Sequence, residues 1–288
     1  MPKGEPLPAV EQTLYVVATP IGNLRDITLR ALDILGEADI IAAEDTRITA
    51  TLTSHYGITA RLASLHTHNE RQRADEVIAW LAAGKRVALV TDAGTPAISD
   101  PGAALVRAVI DADFAVVPIP GPSALIAALS ASGLAASQWL FCGFLPASAS
   151  ARAKEIERLR AFGCALVFYE APHRIAATLD ALAAALGPER QLVIARELTK
   201  RFETIRRLPL GDAAAWLAAD SNRKRGEFVL IVEPAPPPPP AEIESHDALL
   251  SALLAELPLA QSVRIAVAAT AIPKNRIYER ALALKKAS

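Results

Sequence analysis

Cysteine is nearly absent from this 288-residue chain. Cys142 and Cys164 are the only two, too few for a disulfide framework or a Cys-rich zinc site. Such a chain suits a reducing cytosol, and no metal is expected. Net charge is also almost absent, with 30 Lys+Arg against 31 Asp+Glu for a formal charge of −1. That balance excludes nucleic-acid binding through a global positive potential, so any such contact has to be local. The common nucleotide fingerprints are missing: no G-x-G-x-x-G follows the first strand and no G-x-x-x-x-G-K-[ST] occurs. There is no G-x-S-x-G elbow or H-E-x-x-H helix either. The uncharged stretch from Ala115 to Gln138 is long enough to suggest a membrane span, but Pro118, Pro120, Gly121 and Pro122 interrupt it near its start. It reads as strand, turn and helix. With no apolar run in Met1-Pro2-Lys3-Gly4-Glu5-Pro6, no secretory leader and no membrane partner are expected, and a cytoplasmic location is.

What remains is 52% hydrophobic and 21% charged, a globular composition long enough for two domains. Apolar, β-branched runs at Leu14–Thr19, Asp39–Glu44, Arg86–Thr91 and Ala115–Ile119 alternate with helical periodicity at Leu29–Leu35, Ala74–Ala83 and Ala103–Ile110. Runs apolar at nearly every position, such as Val87-Ala88-Leu89-Val90, predict a mostly parallel sheet covered on both faces. After Pro120-Gly121-Pro122 the alternation restarts, with strands at Leu140–Phe144, Ala165–Glu170, Leu192–Arg196, Thr204–Leu208 and Phe228–Val232. Only one short helix, around Ala213–Ala219, separates the last two, so a mixed second lobe is expected.

The expected organisation is an N-terminal α/β lobe over 13–119, a second α/β lobe over 120–234, a Pro-rich linker over 235–241 and a small helical module over 242–288. Pro236–Pro240 favours a stiff polyproline segment. Beyond it, three short helices are expected at Asp247–Leu257, Val263–Ala271 and Asn275–Leu284. From Arg264 onward six basic residues stand against Glu279 alone, so this module is locally basic.

Open α/β sheets bind ligands beyond the carboxyl ends of their strands, and that is where the polar motifs fall. The first strand ends in Ala18-Thr19-Pro20-Ile21-Gly22-Asn23-Leu24, either an ordinary strand-to-helix loop or a ligand loop. Glu44-Asp45-Thr46-Arg47 follows the second, either orienting a substrate or forming an acidic first helical turn. Thr91-Asp92-Ala93-Gly94-Thr95-Pro96-Ala97-Ile98-Ser99-Asp100-Pro101-Gly102 is dense in small residues and carries two carboxylates. Its glycines allow close approach of backbone to ligand, and Asp92 or Asp100 can accept from an amine or a ribose hydroxyl. Pro120-Gly121-Pro122-Ser123-Ala124 leads into a helix whose first amides would face a cleft. His66-Thr67-His68-Asn69-Glu70 lacks a third ligand at metal spacing, so substrate contact by His66 and Asn69 is the better reading. Glu170-Ala171-Pro172-His173-Arg174 and the run from Arg196 to Glu203 follow second-lobe strands; their charges either grip phosphate or make a solvated ion-paired surface.

In this order the motifs, with Tyr169 and Gly226-Glu227-Phe228, closely resemble the ribosomal-RNA-methylating branch of the tetrapyrrole methylase superfamily over about Leu14 to Glu233. Asn275-Arg276-Ile277-Tyr278 resembles that branch's small helical C-terminal module. Thr19-Pro20-Ile21-Gly22-Asn23 departs from the glycine-rich first loop of the tetrapyrrole branch, which favours RNA over a porphyrin or corrin substrate. The resemblance implies two α/β lobes with S-adenosylmethionine between them, a homodimer, and 2′-O-methylation of a cytidine ribose in the decoding region of 16S rRNA in the small ribosomal subunit. It implies cofactor contacts at Gly22, Asp92, Ala93, Gly94, Thr95, Ile98, Ser123 and Ala124, with Tyr169 and Phe228 on the second-lobe side. Methyl transfer needs oxygen, carbon and sulfur in line and a group to remove the hydroxyl proton. Candidates are Glu44, Asp100, Lys200 (as the neutral amine) and Glu203, with Arg47, Arg174 and Arg196 as substrate contacts. A tetrapyrrole methylase, a noncatalytic RNA-binding module and an unrelated α/β enzyme are the alternatives.

Overall fold

The computed structural model describes residues 9–65, 70–135, 137–235, 243–270 and 272–287. The chain divides into two compact units, Met1–Ala235 and Pro236–Ser288. His66 and Asn69, and the proline run Pro236–Pro240, lie outside the described residues.

The first unit holds two five-stranded sheets. In the first, β1 (Thr13–Val17), β2 (Ile40–Ala43), β3 (Arg61–Ser64), β4 (Val87–Val90) and β5 (Ala115–Ile119) run in the order β3-β2-β4-β1-β5, and every pairing is parallel. Parallel neighbours require crossovers, and the intervening Ala/Leu-rich segments supply them as helices. α1 (Leu29–Glu37) and α2 (Thr46–Tyr56) bury Ala31, Ile34, Leu35 and Leu52 against one face. α3 (Glu70–Ala82) and α4 (Ala103–Asp111) bury Val77, Leu81, Leu105 and Val109 against the other. β3 escaped sequence reasoning: Arg-Leu-Ala-Ser is short and lies at the sheet's edge with Arg61 exposed, so it carries no continuous apolar run.

Local chemistry sets the helix ends. The Thr28 hydroxyl accepts from the Ala31 N–H at 3.2 Å and starts α1. The Asp45 carboxylate accepts from the Arg47 N–H at 2.8 Å and starts α2, and Gly57 (φ 69°) stops it in the left-handed conformation that glycine adopts without strain.

The second sheet contains β6 (Trp139–Phe144), β7 (Ala165–Glu170), β8 (Gln191–Arg196), β9 (Thr204–Pro209) and β10 (Phe228–Val232) in the order β6-β7-β10-β8-β9. It is mixed: only β6 and β7 are parallel. α6 (Ala149–Arg160), α7 (Ile175–Leu186) and α8 (Leu210–Ala218) cover one face through Ile156, Leu179, Leu182 and Leu217. The opposite face packs on α5 (Ala124–Ala131) through Leu125 and Ala128, and Ile21 of the first lobe joins the same cluster. The uncharged stretch after Ala115 is thus strand, turn and helix, as read.

The second unit is a group of three helices, α9 (Asp247–Glu256), α10 (Leu259–Thr270) and α11 (Lys274–Ala287), closed around Leu250, Val263, Ala266, Ile272, Ile277 and Ala281.

Candidate active site

In the first sheet the chain winds from β1 outward to β3, returns to β4 and ends at β5, so the helices that follow β1 and β4 lie on opposite faces. β1 and β4 are neighbours, and their carboxyl ends form the crevice at which such sheets bind ligands. The two loops leaving those strands are tied together. Thr19 and Gly94 exchange backbone hydrogen bonds of 2.9 and 3.0 Å, and the buried Thr19 hydroxyl donates to the Thr91 carbonyl at 3.0 Å. Gly94 sits at φ 89°, and a side chain there would stand 3.4 Å from Ile21 Cγ2, so this loop needs glycine for both its turn and its packing. The Thr95 hydroxyl donates to the Pro122 carbonyl at 3.1 Å, which carries the tie to the segment joining the lobes.

These loops and the second sheet enclose a cavity of about 420 Å³. One side is acidic and small: Glu44, Asp92, Ala93, Gly94, Thr95, Ser99 and Asp100. The other is mainly apolar and aromatic, with Leu198, Tyr169, Phe228, Val229 and the half-exposed Phe144, and also carries Glu170 and Glu227. Tyr169 makes edge contacts with Phe141 and Phe144, at ring-centroid distances of 4.9 and 5.8 Å. Its hydroxyl accepts from the Leu125 N–H at 3.1 Å. The N-cap Ser123 makes no side-chain cap, so Tyr169 satisfies an amide in the first turn of α5 and fixes that turn on the cavity wall.

The acidic side is a linked set. The Thr91 hydroxyl donates to Glu44 Oε2 at 2.6 Å, and the Asp45 N–H donates to Asp92 Oδ1 at 2.9 Å. Burial pushes the Asp100 carboxyl above the usual carboxylate range; a hydrogen bond from Thr91 opposes the rise and the charges of Glu44 and Asp92 add to it. Burial likewise raises Asp92, with the Asp45 amide opposing and Glu44 and Asp45 adding. The site therefore holds negative charge at a cost, and a cationic ligand would relieve it.

The sequence-predicted residues divide. Asp92, Ala93, Gly94, Thr95, Ile98, Ser123, Ala124, Tyr169 and Phe228 all line the cavity, as do Glu44 and Asp100. Gly22 stands behind the wall instead: a Cβ there would meet the Lys200 stem at 2.6 Å, so the first-lobe loop rests directly on the second-lobe lysine. Lys200 does not fit the role of a neutral base. Its ammonium donates to Glu197 Oε1 and Glu227 Oε2, each at 2.9 Å. Burial alone would lower its pKa, but these two carboxylates outweigh that and hold it above the ordinary lysine value. Glu203 turns away to accept from the Thr199 N–H at 2.6 Å, outside the cavity wall. Arg196 is an internal strut, buried and donating to the carbonyls of Arg225, Asn222 and Phe202, with no free face for substrate. Arg174 spends its guanidinium on the Leu145 carbonyl and lies 3.2 Å from buried Glu170, behind the wall. Arg47 is 89% exposed and paired with Asp45 beyond the mouth.

Sequence reasoning missed the cavity residues Ile21, Phe144, Leu198 and Glu227, as well as the role of Thr91. Ile21, Leu198 and Glu227 lie inside motifs that were singled out without being assigned a contact, and Phe144 ends a predicted strand, so a place beside a strand terminus was the signal available.

The profile described as Tetrapyrrole (Corrin/Porphyrin) Methylases matches residues 13–214, and the one described as RsmI C-terminal HTH domain matches 239–285. The ribosomal RNA small subunit methyltransferase I of Escherichia coli O157:H7 is 48% identical, over 93% of this chain and 94% of its own length. The protein of the same name from Neisseria meningitidis serogroup A is 49% identical, over 95% of this chain and 94% of its own. The chain belongs to the ribosomal RNA small subunit methyltransferase I family. The wider fold of this methyltransferase I family member is that of the tetrapyrrole methylases. Cobalt precorrin-4 methyltransferase superposes with a TM-score of 0.58 at 16% identity, covering 76% of this chain and 94% of that one. Uroporphyrin-III-C-methyltransferase from Thermus thermophilus gives 0.54 at 18%, covering 77% and 94%.

Proposed function

We propose that the protein transfers a methyl group from S-adenosylmethionine to the ribose 2′-hydroxyl of a cytidine in the decoding region of 16S rRNA, as a cytoplasmic homodimer acting on the small ribosomal subunit. The observation that carries this reading is the cavity of about 420 Å³ at the sheet's switch point, with a carboxylate-rich side facing an aromatic one. Its volume suits a ligand of that size. The chemistry of its walls suits the donor: the sulfonium and amino groups are cationic and match Asp92 and Asp100, while the adenine ring matches Leu198, Phe228 and Val229. Gly94, Thr95, Ser123 and Ala124 supply small side chains and backbone against which the ligand would lie. When bound, the donor supplies an electrophilic methyl carbon.

The chain's own work is alignment and proton removal. Asp100 is the favoured proton acceptor: it lines the cavity, and its raised pKa brings it closer to the operating pH than an ordinary carboxylate. Glu44, gripped by the Thr91 hydroxyl, holds charge beside it and keeps the local field negative. The edge of the site is set by the Lys200 ion pairs, which keep the Glu227 carboxylate neutralised at the wall. In the second unit, exposed Lys274, Arg276 and Lys285 on α11, with Tyr278, suit a phosphate-bearing partner. Among the described residues no helix is long and apolar enough to cross a membrane.

The test offers the protein labelled S-adenosylmethionine with small ribosomal subunits, naked 16S rRNA or a porphyrin precursor, and maps the label by nuclease digestion. Label on one cytidine 2′-oxygen is expected. Label on the pigment, or on a base rather than a ribose, overturns the reading.

A further inference from the structure

Arg196 ends β8 and is paired in register with Phe228 of β10 on one side and Thr204 of β9 on the other. The loops entering those two strands, 197–203 and 222–227, therefore emerge at the same end of the sheet. The guanidinium of Arg196 joins them from beneath. Nε donates to the Arg225 carbonyl and Nη2 to the Asn222 carbonyl, both at 2.6 Å, and Nη1 donates to the Phe202 carbonyl at 3.2 Å. One buried cation thus holds two separate loops in fixed register.

Those loops present an unusual surface. Phe202, in the turn between β8 and β9, is 64% exposed, more than any large apolar side chain of the sheet itself. The Arg201 guanidinium lies 5.6 Å from its ring centroid. Lys224 and Arg225 are exposed on the neighbouring loop, and neither they nor Arg201 has an ion-pair partner among the described residues. The nearby carboxylates are engaged: Glu197 and Glu227 by Lys200, and Glu203 by the Thr199 N–H. The same end of the sheet carries Glu227 and Phe228, which line the cavity.

We propose that Phe202, Arg201, Lys224 and Arg225 form one docking strip for the single-stranded RNA next to the target nucleotide, with Arg196 holding the strip together from behind. An exposed ring flanked by unpaired cations is the combination that binds single strands, the ring stacking on a base and the cations meeting phosphates. A duplex keeps its base faces stacked inside the helix and could not use the ring. The strip adjoins the cavity, so a strand held there brings its neighbouring ribose to the site. This inference deepens the rRNA reading above and rests on it.

The test uses the full chain, a short fluorescein-labelled single-stranded RNA read by anisotropy, and methylation of small ribosomal subunits. Phe202→Ala is expected to weaken RNA binding by about tenfold. Phe202→Trp, which keeps a stacking face, is expected to restore binding to within about twofold. Replacing Lys224 and Arg225 together by alanine is expected to reduce the slope of log affinity against log salt by about 1.4, roughly 0.7 for each cation lost. S-adenosylmethionine affinity by calorimetry and the melting temperature should stay unchanged, since these side chains are exposed and outside the cavity. If wild type methylates subunits and Phe202→Ala binds RNA and turns over equally well, the strip is overturned and the rRNA reading stands. A changed sedimentation coefficient with unchanged RNA affinity would mean that a second copy covers Phe202, which also overturns it. If wild type binds the donor but neither binds nor methylates RNA, both readings fall.

Discussion

Thr91 has one hydroxyl proton and two carboxylate neighbours, Glu44 at 2.6 Å and Asp100 within hydrogen-bonding reach. It cannot serve both fully, and Asp100, pushed up by burial and by the charges around it, is the group left short of stabilisation. A proton acceptor must be ionised, so single-turnover methylation should fall as pH drops through a value above the ordinary carboxylate range. Thr91→Val, which removes the opposing hydrogen bond, should move that limb to still higher pH, and Thr91→Ser should return it; a pH–rate series on the three proteins checks this. Asp100→Asn should cost about 10² to 10⁴ in the methyl-transfer rate while donor binding persists in calorimetry. The same replacement should raise the melting temperature at pH 7. A carboxyl whose folded pKa lies above its unfolded value destabilises the fold once pH exceeds both, and the amide removes that charge. Loss of activity with a gain in stability would separate a proton acceptor from a structural aspartate, whose removal lowers both. The sequence placed Asp100 in a polar loop at a strand end, but nothing in its spacing could say that Thr91 would be shared.

At the scale of elements, what was legible followed from burial. β4 and β10 are buried at every position and were visible as apolar runs, whereas β3, at a sheet edge, was not. Strand direction in the second sheet was legible only as mixed, because pairing depends on loops whose charged residues look alike in sequence. Arg196, Lys200 and Glu203 lie within one such run, and their spacing gave no sign that the first would turn inward, the second would lock between Glu197 and Glu227, and the third would cap a turn. Two positions that hold loops in place are consequently sensitive to substitution. Gly22→Ala would drive a Cβ to 2.6 Å from the Lys200 stem at a φ of 154°, and should destabilise the first unit by about 1–3 kcal/mol in urea titration. Arg196→Met keeps the unbranched stem but removes the guanidinium, leaving three carbonyls without their shared donor. It should cost roughly 2–5 kcal/mol and should weaken single-stranded RNA binding even though the arginine itself is covered. Equal weakening by Arg196→Met and Phe202→Ala, with no further loss in the double variant, would place both in one device.

For the whole molecule, the two units have separate cores: four buried clusters draw only on residues before Ala235, and the fifth runs from Ile243 to Leu284. Every residue lining the cavity belongs to the first unit. Donor binding is accordingly expected to need the first unit alone, whereas substrate capture is expected to draw on the strip around Phe202 and, in addition, on the basic second unit. A protein ending at Ala235 should keep its cooperative unfolding transition and bind S-adenosylmethionine within about twofold of the full chain, because nothing that shapes the cavity has been removed. Its affinity for small ribosomal subunits should fall by tenfold or more at about 0.15 M salt and fall less steeply with added salt, since the exposed cations of α11 no longer release counterions. The outcome that would sink this division is a truncated protein that loses donor binding along with RNA, because the cavity would then depend on residues beyond the first unit. Retention of both donor binding and full subunit affinity would instead confine recognition to the strip around Phe202, and the basic face of α11 would be merely a solvated helix surface.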